Sequence, residues 1–319
     1  MIIVLKKIIS IFIITFVGFA ANKKGILPNQ SNRYLVDLLM MITTPCMVLA
    51  SITSTELTED TVKTTMLMIL CAVLWFVISA FLSWILCIKI LKLKDHPDAG
   101  VYMAGITTIN NGFMGFPITL ALFGEDVFFY MVLFQMMLTI YLYSGCIIQV
   151  NYGHKGKMDL KLTLKQLANP CSMSAVLGII MLFLGLHLPD VLFETVDSIG
   201  SITVPLSMLV VGIQLGSSNI STVIHNRNLV LTSILKMIFW PVLTFLAVNW
   251  LPLPLSMKLA LIFGSVFPTA VAVVAVTSME NRNAVLAAEM IAFTTMISIV
   301  TIPVSALLLL GYYGYYGLV

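Results

Sequence analysis

The stretch Thr107–Pro117, TTINNGFMGFP, interrupts an apolar segment that is otherwise long enough to cross a membrane. An uninterrupted membrane helix avoids this combination of two asparagines, two glycines and a proline, because proline lacks a backbone donor and clashes with the carbonyl one turn earlier. A break of this kind survives in a bilayer only where the freed backbone groups face protein, water or a ligand. The stretch therefore predicts a helix that is broken near the middle of the membrane.

The composition of the whole chain is typical of a membrane protein. Of 319 residues, 60% are hydrophobic and only 10% are charged, and the mean hydropathy is +1.04, whereas a soluble domain carries about 25% charged residues. Because about 20 apolar residues cross the bilayer core, the chain has room for about ten spans. We predict them at Ile3–Ala21, Tyr34–Ser54, Val62–Ile90, Ala99–Leu122, Val127–Val150, Cys171–Leu188, Val191–Leu215, Leu229–Leu251, Leu255–Ser278 and Ala284–Leu310.

The basic residues are distributed unequally between the loops on the two sides of the predicted membrane. Twelve of the 17 Lys and Arg residues fall in one set of alternate loops, and four fall in the set that includes the N-terminus. Since positively charged loops stay cytoplasmic, we predict a multi-pass protein of the cell membrane with both termini outside. The first apolar run starts after Lys7 like a secretory signal, but it ends in Lys23 and Lys24 rather than at a cleavage site, so we expect it to be retained.

The chain is predicted to consist of two halves inserted in opposite directions. Residues 151–168 form a cytoplasmic linker between a first five-helix repeat, residues 1–150, and a second, residues 169–319. Five spans are an odd number, so the second repeat enters the membrane inverted. Matching prolines occur at Pro45 and Pro205 in the second span of each half, and at Pro117 and Pro268 in the fourth.

Interrupted helices at corresponding positions of inverted repeats indicate a secondary transporter with its substrate site near the midplane.

The prolines of the predicted spans fall into two groups. An ordinary proline kink is compatible with Pro45, Pro205, Pro241 and Pro303. True breaks are predicted at Pro117 and Pro268. If the breaks cross, two half-helix N-termini, each carrying roughly half a positive charge, point at one spot and favour an anion. The amides of Asn110 and Asn111 can donate hydrogen bonds to a carboxylate without adding a charge.

Three stretches resemble the auxin efflux carrier family. NNGFMGFP at Asn110–Pro117 is similar to the fourth-helix signature of that family, an asparagine followed by apolar residues and Gly-x-Pro. GFAANKKGILPN at Gly18–Asn29 resembles the start of the family's proteins, and EMIAFTTMISIVTIP at Glu289–Pro303 resembles their last helix. The similarity covers essentially the whole chain. The family includes plant auxin exporters and bacterial permeases for dicarboxylates such as malonate and malate, and the short central loop here suits the bacterial type.

The resemblance implies an all-α membrane fold of ten helices, arranged as two inverted repeats with crossed broken helices 4 and 9, like bile-acid symporters and sodium/proton antiporters. Spans 1, 2, 6 and 7 would form a scaffold that mediates a homodimer, and spans 3–5 and 8–10 a transport domain that moves as an elevator. The implied function is a permease or efflux carrier for a small organic anion such as malate or malonate. A bile-acid-type sodium symporter and an exporter of indole carboxylates are the alternatives.

The same resemblance assigns positions to the predicted site. Asn110 corresponds to the family's crossover asparagine, which meets the substrate carboxylate, and Gln135 corresponds to a glutamine of the fifth helix. Between Lys63 and Lys89, near its two ends, span 3 has neither the acidic residue nor the lysine that some plant members carry, so their ion-support site is not expected here. The predicted substrate-binding residues are Asn110, Asn111, Gly112, Gly115, Pro117, Gln135, Pro268 and Thr269.

Ionisable residues inside spans are candidates for ion coupling, because each costs about 2.5–3.5 kcal/mol at the bilayer centre on insertion scales. Lys236 and Glu289 lie at similar predicted depth, which favours a functional ion pair between them; the alternatives are a purely structural pair or a lysine that extends to the headgroups. Glu289 could carry a proton, and Thr107, Thr108, Asn111 and Gln135 could supply oxygens to sodium. The sequence leaves open whether the coupling ion is Na⁺, H⁺ or neither.

The sequence does not predict an enzyme, a metal site or a bound cofactor. It contains no HExxH, no GxSxG and no glycine-rich phosphate loop, and its five cysteines and four histidines lack metal-ligand spacing. The expected partners are the organic anion, the lipid bilayer and a second copy of the chain, and the small positive net charge gives no reason to expect a nucleic acid.

Overall fold

The computed structural model describes residues 2–54, 59–154, 168–217 and 225–314, and these ranges form helices and connecting turns without any strand. In chain order the helices are α1 (Ile2–Lys23), α2 (Asn29–Leu38), α3 (Thr44–Thr53), α4 (Glu59–Ile85), α5 (Ala99–Thr107), α6 (Phe116–Phe123), α7 (Glu125–Leu142), α8 (Gly145–Val150), α9 (Pro170–Phe183), α10 (Asp190–Ser201), α11 (Thr203–Ser217), α12 (Arg227–Ile234), α13 (Trp240–Asn249), α14 (Leu255–Ser265), α15 (Ala272–Met279) and α16 (Ala284–Tyr313). Four π-helical segments, Leu39–Thr43, Leu86–Ile90, Asn111–Gly115 and Leu235–Phe239, adjoin them.

Within the described ranges, seven helical runs are long and apolar enough to cross a membrane. They are Gln30–Thr53, Val62–Ile90, Ala99–Phe123, Glu125–Leu142, Asp190–Ser217, Arg227–Asn249 and Ala284–Tyr313. Three shorter apolar helices, Ile9–Lys23, Pro170–Phe183 and Leu255–Ser265, coincide with the predicted first, sixth and ninth spans. The prediction of a multi-pass, all-helical membrane protein is confirmed, while length and composition by themselves identify seven of the ten predicted spans.

Prolines explain three of the four π-helical segments. Pro45, Pro117 and Pro241 each lie two residues beyond the end of such a segment. Proline cannot donate to the carbonyl four residues earlier and its ring collides with it, so the preceding turn widens instead of the helix breaking. Pro205 is in the first turn of α11, where its missing donor is tolerated, and Pro303 lies inside the continuous α16.

One group of helices is held together by close backbone approach. α1 packs along α11, and α9 and α10 pack against α3. A Cβ atom added to Gly212 would lie 2.1 Å from the carbonyl oxygen of Thr15, and one added to Gly18 would lie 2.4 Å from that of Leu209. Small residues that allow such approach are typical of helix pairs in membranes, where packing replaces the hydrophobic effect.

A second group forms around a large apolar core. α7 packs against α4 and α14, and α13 packs against α14. Trp75 and Phe134 meet edge to face at 5.2 Å, and Phe123, Phe263 and Phe267 form a chain of edge-to-face contacts. This core lies directly against the interrupted segment that follows α14, so it holds the region around the breaks in a fixed position.

Candidate functional site

The first interruption lies between α5 and α6. α5 ends at Thr107, the backbone of Thr108 is extended, and the helix resumes as a π segment at Asn111. The break thus comes before Pro117, which is the second residue of α6. The first backbone donors to bond within the resumed helix belong to Met114 and Gly115, both to the carbonyl of Asn110. The N–H groups before them have no acceptor inside that helix, as at any helix start.

The second interruption separates α14 from α15. α14 ends at Ser265, and the chain is non-helical from residue 266 to residue 271. It includes Pro268 and Thr269, and the next helix begins at Ala272. Because the break spans six residues, it is wider than the one in TTINNGFMGFP.

The two interruptions are bonded to each other in the interior. The backbone N–H of Asn110 donates to the carbonyl of Pro268 at 2.7 Å. The hydroxyl of Thr269 donates to the carbonyl of Gly105 at 2.7 Å, and its backbone N–H donates to Oγ1 of Thr294 at 3.2 Å. Predicted residues from both halves of the chain therefore come together, and α16 joins them through Thr294, which sequence reasoning did not single out.

Asn111 has an unsatisfied side chain at this junction. The residue is fully buried, and neither its Oδ1 nor its Nδ2 has a hydrogen-bond partner among the described residues. A Cβ added to Gly115 would lie 2.7 Å from Oδ1 of Asn111 and 3.2 Å from the ring of Phe267, so glycine is what lets the amide lie there. A buried amide without partners costs about 1–3 kcal/mol, which indicates a group that meets a ligand or water.

Further unsatisfied polar atoms occur on the neighbouring helices. Oε1 of Gln135 on α7 and Oγ1 of Thr119 on α6 are buried without a partner in the described part of the chain. α7 packs against both α6 and the π segment that starts at Asn111. Gln135 was a predicted site residue, whereas Thr119, one turn along from Gly115, was missed because a threonine in an apolar helix carries no distinctive pattern. Gly112 faces open space, since an added Cβ would meet nothing within 4 Å.

Thr107 and Thr108 use their hydroxyls within the protein. Oγ1 of Thr107 donates to Oγ of Ser83 at 3.1 Å and accepts from Nε2 of Gln149 at 3.2 Å, and Gln149 in turn accepts from the hydroxyl of Tyr141. Thr108 bonds back to the carbonyl of Ala104. This network joins α4, α5, α7 and α8, so it serves to pack these helices together.

The expected ion pair between Lys236 and Glu289 is absent from this structure. Lys236 is fully buried on the π segment Leu235–Phe239, and its Nζ has no partner among the described residues. Glu289 keeps partial solvent exposure near the start of α16. The predicted pair was wrong because similar depth along two helices does not fix the direction of a side chain: Lys236 is enclosed in the packed interior, whereas Glu289 stays partly exposed.

Two cavities border helices that follow the breaks, and α11 contributes to the lining of both. One, of about 340 Å³, lies between α3, α10 and the α6–α7 turn and reaches Val204 on α11. The other, of about 210 Å³, lies between α11, α15 and α16 and includes Gln214 and Thr295. Ten residues of helix separate Val204 from Gln214, which is about 15 Å at 1.5 Å per residue. The cavities are therefore displaced from each other along the molecule.

The part of the chain that the structure describes offers no cluster of side chains suited to a metal ion. Within the described ranges, no group of three or more His, Cys, Asp or Glu side chains is placed to bind a metal ion. The 340 Å³ cavity does contain Glu125 and Asp197, and Glu125 accepts a hydrogen bond from Ser51. The polar groups at the junction of the breaks are instead neutral amides and hydroxyls.

Comparison with known proteins agrees with this architecture. The sequence model of a family described as "Membrane transport protein" matches residues 3–306. The chain belongs to this family, which is that of the auxin efflux carriers. An uncharacterized transporter of Methanocaldococcus jannaschii is 25% identical over 317 residues, which is 95% of this chain and 98% of that protein. The resemblance seen in the sequence is thus confirmed, and the protein is a transporter rather than an enzyme.

Membership of this family also implies that the protein acts in a membrane. A membrane transport protein requires a lipid bilayer and a small-molecule substrate. The apolar helical runs of the structure supply the multi-pass part of this description. The junction of the two breaks is therefore the region to consider for the substrate.

Proposed function

We propose that the protein is a secondary transporter that carries a small organic anion, a mono- or dicarboxylate such as malate or malonate, across the cell membrane. The observation that carries the proposal is the unsatisfied amide of Asn111 beside two joined helix breaks. A carboxylate can accept hydrogen bonds from neutral amides and from free N–H groups at a helix start. Such a site binds an anion without burying a permanent cation, which is costly in a membrane.

The residues proposed to contact the substrate are the predicted set around the breaks. Asn110 and Asn111 would donate to the carboxylate, and Gln135 would face it from α7. Gly112 borders open space, and Gly115 leaves room for the amide of Asn111. The helix starts after the breaks, marked by Pro117 and Pro268, would add the positive ends of their dipoles.

The packing of the helices supports an inverted repeat of five spans, residues 1–150 and 169–319. α1, the first span, packs along α11, which belongs to the seventh, and α9, the sixth span, packs along α3, which belongs to the second. Counted within the halves, both contacts join the first span of one half to the second span of the other. The breaks at Asn110 and Pro268 likewise occupy the fourth span of each half.

The two cavities support alternating access. The 340 Å³ cavity is lined by the second, fourth and seventh spans and by the α6–α7 turn, and the 210 Å³ cavity is lined by the seventh, ninth and tenth spans. In an elevator mechanism the group of spans 3–5 and 8–10 would slide against a scaffold of spans 1, 2, 6 and 7, opening one cavity toward the site at a time. The scaffold would also mediate a homodimer, and both termini would lie outside.

The test is transport in proteoliposomes with radiolabelled malate, malonate, succinate and indole-acetate, under sodium and pH gradients imposed separately. Loss of a hydrogen bond to a charged group costs about 1.5–3 kcal/mol, so Asn110→Ala and Asn111→Ala should each reduce uptake about tenfold to a hundredfold. Asn32→Ala is the matched control, because Asn32 also has a buried unpartnered oxygen but lies on α2.

The outcomes separate the possible substrates and roles. Uptake of dicarboxylates by the wild type and by Asn32→Ala, with loss in the two junction variants, supports the proposal. Unchanged uptake in both junction variants would show that the substrate binds elsewhere. Transport of indole-acetate alone would replace the dicarboxylate with an auxin-like substrate, and a strict sodium requirement would favour the symporter alternative.

A further inference from the structure

Lys236 is an ionisable side chain enclosed by protein on all sides. Its exposed fraction is 0%, and its Nζ has no hydrogen-bond partner among the described residues. It lies in the π segment between α12 and α13, inside a run long enough to span the membrane. An ammonium ion without a counter-charge in such a place is strongly unfavourable.

The surroundings of Lys236 supply no compensating charge. The π segment packs against α5 and α16 as well as its flanking helices. The titratable or charged groups on these four elements are Arg227, Tyr102, Glu289, Tyr312 and Tyr313. The hydroxyl of Tyr102 bonds to Asn226, that of Tyr313 bonds to Asn249, Glu289 is partly exposed, and no ion pair joins any of them to Lys236 in the described part of the chain.

Two more unpartnered polar atoms lie on the same side of this span. Oγ of Ser233 and Nε1 of Trp240, three residues before and four residues after Lys236, are buried without partners. The spacing places all three side chains on one helical face. Lys236 has no accessible surface at which an anion could pair with an ammonium ion. A neutral amine needs no counter-ion, so it can be buried at this position.

We propose, on the basis of the transport function proposed above, that Lys236 carries the coupling proton of an anion–proton symporter. In the buried arrangement described here the amine is neutral. When the surrounding helices rearrange and water reaches Nζ from one side, its lone pair takes a proton from hydronium of that side and leaves water; on the other side the ammonium gives the proton to water, which carries it away as hydronium. The positive charge it carries offsets one negative charge of the cotransported carboxylate.

Lys236 is connected to the substrate site through two helices that pack against its π segment. α5, against which its π segment packs, ends at the first break, and α16 holds the second break through Thr294. Protonation that loosens the packing of α5 and α16 would therefore act on both breaks. Neither Thr107 nor Thr108 needs to bind sodium in this scheme.

The transport test compares two modes in proteoliposomes. Counterflow exchanges labelled malate for unlabelled malate with no gradient, and gradient-driven uptake requires coupling to an imposed pH difference. Lys236→Met introduces a neutral side chain of similar length, so counterflow should be retained while gradient-driven accumulation falls at least tenfold. Gradient-driven accumulation should also be lost in Lys236→Arg, because arginine stays charged. Lys258→Met is the matched control, since Lys258 is partly exposed and its Nζ donates to the carbonyl of Asn249.

A second measurement reports the protonation state of Lys236 directly and does not depend on transport. In protein labelled with ¹⁵N at lysine Nζ and reconstituted in nanodiscs, the signal lost in Lys236→Met identifies Lys236. We expect the shift of a neutral amine near neutral pH and conversion to an ammonium on acidification. Lys236→Met should also unfold at a temperature equal to or above that of the wild type, which shows that the variant folds.

Each outcome decides the proposal. A signal that remains an ammonium at every pH, or gradient-driven accumulation that persists in Lys236→Met, overturns it. A wild type that accumulates malate without responding to pH overturns it too. If the wild type shows no counterflow of any carboxylate, the proposed function fails instead, and the ¹⁵N titration still decides whether Lys236 exchanges a proton.

Discussion

The backbone N–H of Asn110 and the carbonyl of Pro268 are joined by a hydrogen bond of 2.7 Å, although the residues lie in different halves of the chain. Each group was released when its own helix was interrupted, and each satisfies the other in a place where water cannot. The two breaks are therefore energetically dependent on each other. A change at one break should therefore affect the other, and the prediction for Thr269 rests on this dependence.

Thr269→Val should weaken the junction of the breaks. The substitution keeps the shape of the side chain but leaves the carbonyl of Gly105 without its donor. Loss of a buried hydrogen bond with an orphaned partner costs about 1–3 kcal/mol, so the thermal unfolding temperature and the uptake rate should both fall. Thr301→Val is the control, because Oγ1 of Thr301 has no partner among the described residues. Equal melting temperatures for the two variants would contradict this role for Thr269.

Gly115→Ala should impair substrate binding more than Gly112→Ala. At Gly115 the new Cβ would meet Oδ1 of Asn111 at 2.7 Å and push the amide from its position, whereas at Gly112 it would meet nothing within 4 Å. Stabilisation by a bound ligand reaches about 2.7 kcal/mol at one hundred times its dissociation constant. A thermal-shift titration with malate and malonate should show a smaller loss of this gain in Gly112→Ala, where the new methyl group extends into open space, than in Gly115→Ala. The reverse order would mean that the substrate approaches from the side of Gly112.

Some of this architecture could be predicted from the sequence because it is marked by residues with unusual backbone properties. Pro117 and Pro268, together with the glycines near the first, indicated where the helices would be interrupted, since proline and glycine change the backbone wherever they occur. The position of the first break, at residues 108–110, still differed from that of the proline. Proline widened the preceding turn, and the chain left the helix upstream of it.

Other features depend on the three-dimensional arrangement of side chains that are individually ordinary. Thr294 meets the second break, and Gln149 joins Thr107, but a threonine or glutamine in an apolar helix gives no local signal of its partner. The predicted pairing of Lys236 with Glu289 failed for the same reason. Depth in the membrane can be counted along the sequence, whereas the direction of a side chain depends on a π turn that only the folded chain reveals.

Gly212→Ala should separate α1 from α11. The added Cβ would lie 2.1 Å from the carbonyl oxygen of Thr15 and 2.7 Å from the backbone nitrogen of Phe19, and backbone atoms cannot move aside as a flexible side chain can. Overpacking of this kind typically costs 1–3 kcal/mol or more. Size-exclusion chromatography in detergent should show less monodisperse protein, with a lower unfolding temperature. Gly112→Ala serves again as the comparison, and identical behaviour of the two variants would argue against close packing of α1 on α11.

Gln149→Leu should destabilise the second group of helices, and Tyr141→Phe should partly reverse the effect. Nε2 of Gln149 donates to Ser83 at 2.9 Å, and its Oε1 accepts from the hydroxyl of Tyr141. With leucine at position 149 the buried hydroxyl of Tyr141 loses its acceptor, at a cost of about 1–3 kcal/mol, whereas removing both partners together can be nearly neutral. Thermal unfolding of the two single variants and the double variant forms a double-mutant cycle. We expect the double variant to unfold above Gln149→Leu, and a purely additive result would mean that the two side chains do not stabilise each other.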